Sequence, residues 1–138
     1  MTSEAKIRVR YYETGQMGFV HHSNYFNWFD LAQEKLISDI GFDYSKIEER
    51  GLKFIPVHQS CDYLTPIYYR DELVIRITLK EIKGMKLSFE YEIVRMADAK
   101  IAAKGKSDHI LVDENLHPAI IRRVVPELAE KLNKLNKF

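Results

Sequence analysis

The chain has 138 residues, 46% of them hydrophobic and 30% charged, a balance that fits one compact domain with a real core. Its formal net charge of +1 gives no long-range field for gathering polyanions, so a general nucleic-acid role finds no support. No apolar run reaches the length of a membrane span and the first residues lack the apolar segment of a signal peptide, so the expected setting is cytoplasmic, without membrane insertion.

The first expected strand covers Lys6 to Tyr12, where Ile7, Val9 and Tyr11 alternate with Lys6, Arg8 and Arg10. It feeds a turn carrying Gly15 and Gly18, and Ser23 or Asn24 is suited to cap the helix that follows. That helix runs to Gly41, with Tyr25, Phe29, Ala32, Leu36 and Ile40 at spacings of three and four. Phe26, Trp28, Leu31 and Ile37 widen the stripe, and a helix this apolar must be wrapped by other elements. The strand-to-helix junction gathers free backbone N–H groups into a small volume, where they can stabilise a developing negative charge.

Asp43 is placed to cap a short helix through Glu49, which Gly51 ends. Extended runs follow at Phe54 to Tyr63, Glu72 to Ile82, Lys86 to Arg95 and Ile101 to Val112, with Pro56 and Pro66 marking kinks or an edge. Lys83-Gly84 and Ala97-Asp98 make short turns, which predicts an antiparallel meander. A closing helix starts at Pro126 with Leu128, Leu132 and Leu135 on one side. The fold class is therefore α+β, one antiparallel sheet wrapped around a long central helix.

These residues carry a resemblance. Arg10-Tyr11-Tyr12-Glu13-Thr14, Met17-Gly18, His21-His22-Ser23-Asn24-Tyr25-Phe26, Trp28-Phe29, Pro56-Val57, Tyr63-Leu64-Thr65-Pro66, Asp71-Glu72-Leu73 and the Gly105 to Val112 strand together resemble a hotdog-fold thioesterase. The likeness is to the 4-hydroxybenzoyl-CoA thioesterase superfamily, and within it to the YbgC-like acyl-CoA thioesterases. It covers almost the whole chain and implies a single hotdog domain over residues 1–138. It also implies a homodimer or tetramer, its sheets joined edge to edge, that hydrolyses an acyl-CoA thioester to free acid and coenzyme A without a cofactor.

By the same resemblance, the oxyanion donor is the backbone N–H of His22, with Gly18 shaping the turn beneath it. The catalytic carboxylate is an aspartate directly after the Glu-Thr pair, and here that position is Gly15. A glycine can neither take a proton nor attack a carbonyl, so the reading is an impaired thioesterase, with a noncatalytic acyl-CoA-binding or structural hotdog protein as the alternative. Glu13 is the candidate substitute base, although an extended strand would hold it roughly 6 to 7 Å behind Gly15. Asn24 and Tyr25 are candidate substrate contacts beside a capping and a core role. Ser107 and His109 share a face of the last strand and are set against either the pantetheine arm or each other. Some of Lys53, Lys83, Lys86, Arg95, Lys104 and Lys106 are candidates for the phosphates of coenzyme A. The histidines and Cys61 form no short ligand motif, so no metal is expected, and Cys61 reads as a packed thiol.

Overall fold

The computed structural model describes residues 2–135. In order, the chain forms β1 (Thr2–Arg8), a 3-10 turn (Tyr11–Glu13), α1 (Ser23–Asp39), α2 (Ser45–Glu49) and β2 (Lys53–Tyr63). Then come β3 (Glu72–Lys83), β4 (Lys86–Arg95), β5 (Lys100–Val112), α3 (Ile121–Val124) and α4 (Pro126–Leu135). The strands make one antiparallel sheet in the order β1-β3-β4-β5-β2.

Two expectations change here. The first strand lies earlier than the Lys6–Tyr12 alternation predicted, because after Arg8 the backbone turns away and Val9 N–H donates to Asp71 O at 2.9 Å. Tyr11 is 75% exposed, whereas Glu13 is buried, so the alternation fails where the ladder stops. The meander is also only partial. β3, β4 and β5 follow one another, but β2 crosses to the far edge and pairs with β5, while β1 takes the place beside β3.

α1 lies across this sheet and buries Tyr25, Trp28, Phe29, Ala32 and Leu36. Facing them are Leu73, Ile75, Ile77 and Leu79 of β3 and Leu87, Phe89, Tyr91 and Ile93 of β4, all buried at alternate positions as a period of two requires. Phe29 stacks on Tyr91 with centroids 4.1 Å apart and planes 15° apart. Register shifts at Pro56/His58, Leu79/Glu81 and Ile93/Val94 add local twist, which lets the sheet curl around the helix.

Gly41 ends α1 with φ +76°, as a left-handed residue after a helix must. Phe42 N–H donates to Ile37 O and Gly41 N–H to Ser38 O, the two bonds that satisfy the last carbonyls. Asp43 lies one residue outside the α2 cap position, which Tyr44 holds, and its Oδ1 accepts the Ser45 N–H. In α4, Leu128 and Leu132 are buried, and the side chain of Leu135 lies outside the described residues.

Gly105 in β5 is where helix and sheet come closest. A Cβ there would sit 2.5 Å from two ring carbons of Phe29 and 3.0 Å from the carbonyl of Ser60. Gly105→Ala should therefore force Phe29 out of its stack on Tyr91 and cost about 1–3 kcal/mol, read as a lower urea midpoint with an unchanged slope.

Candidate active site

The site is built from the junction into α1. Thr14 pairs with Val20, Gly15 N–H donates to Phe19 O at 2.9 Å and Gly18 N–H returns to Gly15 O at 3.0 Å, closing a small hairpin. Gly18 has φ +88°, so glycine is required there, whereas Gly15 is outside the left-handed region. His21 N–H then donates to Glu13 O at 2.9 Å.

The cap differs from expectation. His22, not Ser23 or Asn24, holds the N-cap position. The ring of His21 supplies the acceptor, taking Ser23 N–H on Nδ1 at 3.3 Å and lying 2.8 Å from Ser23 Oγ. The Asn24 amide reaches back to donate to Glu13 O at 2.9 Å and His21 O at 3.2 Å, tying the helix start to the turn. Asn24 N–H and Tyr25 N–H are used by His21 O and His22 O. Among the described residues nothing accepts the His22 N–H, so the donor at the helix start is free for an incoming oxygen.

Glu13 is held more firmly than an extended strand-end carboxylate would be. Because residues 11–13 form a 3-10 turn, its side chain swings inward, where Oε1 accepts Arg10 N–H at 2.7 Å and Oε2 accepts Trp28 Nε1–H at 2.8 Å. The residue is 3% exposed. Both oxygens serve as a brace between the turn and the helix.

A cavity of about 1040 Å³ runs along α1 from Arg10, Glu13 and Asn24 at the helix start to Phe54, Phe89 and His109. Of the sequence-predicted residues it gathers Glu13, Asn24 and His109. Gly15, Gly18 and His22 stand in the adjoining hairpin and helix start and do not line it. Tyr25 is placed in the core, stacked on Trp28 and edge-on to Tyr63, and burial pushes its hydroxyl up to about 12. Ser107 lies behind His109 and is 1% exposed.

Two wall residues escaped the sequence reading. Asp30 is exposed on the groove wall, has no hydrogen-bond or ionic partner among the described residues, and its pKa is raised by local desolvation and then by neighbouring Glu34. Gln33 donates to Tyr91 Oη at 2.7 Å and faces His109 Nε2 at 3.3 Å. Their signal was present as Asp30, Gln33 and Glu34 at spacings of three and four on one side of the helix.

Elsewhere the chemistry is quiet. Burial pushes the Cys61 thiol up to about 11, which leaves it a thiol near neutral pH. Arg95 is taken by Asp98 and by the carbonyl of Pro66, which withdraws one candidate phosphate ligand. Among the described residues no three of His, Cys, Asp and Glu are arranged to hold a metal, and no helix is long and apolar enough to cross a membrane.

Burial lowers the pKa of His109, with Asp108 pulling weakly the other way. Protonation then favours the unfolded chain, where the ring is ordinary, so the linked stability is whole above about pH 6.5 and is lost as pH falls below it. Thermal melts between about pH 7.5 and pH 5.5 should show a steeper loss for the parent than for His109→Gln.

A curled antiparallel sheet wrapped around one long helix is the hotdog fold. The chain belongs to the thioesterase-like superfamily, whose match covers residues 9–132. It is 34% identical to the putative acyl-CoA thioesterase YneP of Bacillus subtilis over 136 residues, 98% of each chain. It is 28% identical to the acyl-CoA thioesterase YbgC of Haemophilus influenzae over 90 residues, 64% of this chain and 66% of that one. The DHNA-CoA thioesterase from Staphylococcus aureus superposes with a TM-score of 0.93 at 26% identity, covering 98% of this chain and 91% of its own. By resemblance the chain is a thioester hydrolase.

Proposed function

We propose that this chain is an acyl-CoA thioesterase whose turnover is held down by Gly15. The observation that carries the reading is the free His22 N–H at the start of α1, beside a groove long enough for an acyl group. In the reaction, water adds to the thioester carbonyl and gives up one proton to solvent, the new oxyanion is held by that donor, and the C–S bond breaks as the second proton of water passes to the coenzyme A thiolate, leaving the carboxylate. Activation of the water is the weak half. Glu13 has both oxygens engaged, and Asp30 on the groove wall stands about 12 Å along the helix axis from His22, so neither carboxylate is placed to activate water at a carbonyl held there.

The working unit in this reading is a cytoplasmic homodimer of single-domain subunits. β2 is an edge strand of 11 residues, largely exposed, with Val57 at 53% and Tyr63 at 49%. Pairing it with its own copy would cover an edge that is otherwise open to wrong partners. The engaged state of Glu13 and the glycine at position 15 favour a second reading, a noncatalytic acyl-CoA binder built on the same groove.

Both readings expect a hydrolysis-resistant acyl-CoA thioether to bind in calorimetry, because its contacts do not need the absent carboxylate. Light scattering on the same sample should give twice the mass of one chain or a multiple of that. No heat at millimolar ligand would remove both readings, and a stable monomer would remove the edge-paired unit.

A further inference from the structure

The strongest feature left over is a buried chain of polar side chains under the middle of α1. Gln33 Nε2 lies 2.7 Å from Tyr91 Oη, Tyr91 Oη 2.7 Å from Ser107 Oγ, and Ser107 Oγ 2.9 Å from His109 Nε2, with Gln33 Nε2 also 3.3 Å from that nitrogen. An amide nitrogen can only donate, so Tyr91 accepts from Gln33 and passes its own proton toward Ser107. Ser107 then donates to His109, and the second amide hydrogen of Gln33 points to the same Nε2. Every proton in the chain runs toward that one atom. With the Gln33 amide in this orientation Nε2 is the bare nitrogen, and the proton of the neutral ring sits on Nδ1.

His109 lines the groove, and Nδ1 is neither partnered among the described residues nor sealed from it. On the sheet side of the groove the wall around it is apolar, with Phe89 edge-on at 5.8 Å and Leu87 and Phe54 on the same cavity. Gln33 lies about 16 Å along the helix axis beyond His22, at 1.5 Å per residue. A single fixed donor in an apolar wall, far from the oxyanion donor, discriminates by leaving itself unpaired when a ligand offers it nothing.

We propose that His109 Nδ1–H is a distal specificity contact, and that the acyl chain taken by this groove carries a neutral accepting oxygen, hydroxyl or keto, remote from its thioester. The inference rests on the acyl-CoA reading above and adds the substrate class. The oxygen is neutral because the facing helix already lines the groove with two carboxylates, Asp30 and Glu34. A carboxylate at the chain end would be repelled.

The test is calorimetry of the full chain with three hydrolysis-resistant CoA thioethers of equal length, bearing a plain lauryl tail, an ω-hydroxyl and an ω-carboxyl. The hydroxylated ligand should bind about 3- to 10-fold tighter than the plain one, and the carboxylated one more weakly than either. His109→Phe keeps a ring of similar size without the donor and should erase the hydroxyl preference while leaving the plain tail bound. Because that variant also strips an acceptor from Ser107, imidazole nitrogen spectra of the parent give a second readout. They should place the proton of His109 on Nδ1 and show it shift with the hydroxylated ligand alone. Equal affinities for plain and hydroxylated tails, or a proton on Nε2, would overturn the proposal while leaving the acyl-CoA reading intact. Failure of all three to bind would overturn both.

Discussion

Gly15→Asp should raise hydrolysis of acyl-CoA thioesters by at least about 10²-fold over the chain as it stands, equivalent to about 2.7 kcal/mol of barrier. The helix-start donor stabilises the oxyanion, yet it neither delivers nor activates the attacking oxygen, and the two halves act together. The backbone accepts the change. Gly15 is not among the positive-φ glycines, and a Cβ there meets only Phe19 O at 3.8 Å, an ordinary contact. The substitution should therefore leave the melting temperature nearly unchanged, so that a gain in rate reports chemistry. A panel of acyl-CoA substrates assayed side by side with the parent, Gly15→Asp and Glu13→Gln decides the matter. If the parent already matches Gly15→Asp and Glu13→Gln abolishes its turnover, Glu13 is the base and position 15 is not the deficit.

Glu13→Ala should be the most destabilising of the site substitutions, by about 2–4 kcal/mol. Its carboxylate is buried and accepts from both Arg10 N–H and Trp28 Nε1–H, so truncation leaves the indole N–H without a partner beside a new void. Glu13→Gln keeps the volume and one acceptor and should cost less than Ala, although its amide nitrogen then opposes one donor. Urea unfolding separates the two by their midpoints. An Ala variant as stable as the parent would mean that the clamp between turn and helix contributes nothing, and the assignment of Glu13 as a brace would fall.

Much of this was legible beforehand because local patterning and burial agree. The stripe from Tyr25 to Leu36 announced a wrapped helix, the alternation in residues 73–79 and 87–93 announced two half-buried strands, and Gly41 and Gly51 announced stops, since those signals depend only on periodicity and φ. The motif around Gly15 and His22 likewise pointed to the turn and helix start as the candidate site, next to the groove that Glu13 and Asn24 line. Strand order was not legible, because pairing β2 with β5 across the sheet is a long-range choice that no short turn encodes.

The fold class, the long central helix and the glycine turn were therefore determined by the sequence alone, through periodicity and local steric requirements, whereas an aspartate at position 15 is expected only from the family resemblance. Tertiary structure decided the rest. It turned Glu13 inward onto Trp28 because a 3-10 turn replaced the end of a strand, and it set Tyr25 in the core. It brought Gln33 of the helix within reach of Tyr91, Ser107 and His109 from two strands, residues up to 76 positions apart. Side-chain hydrogen bonds between distant segments form only after the sheet has curled over the helix, and so leave no periodic trace in the chain.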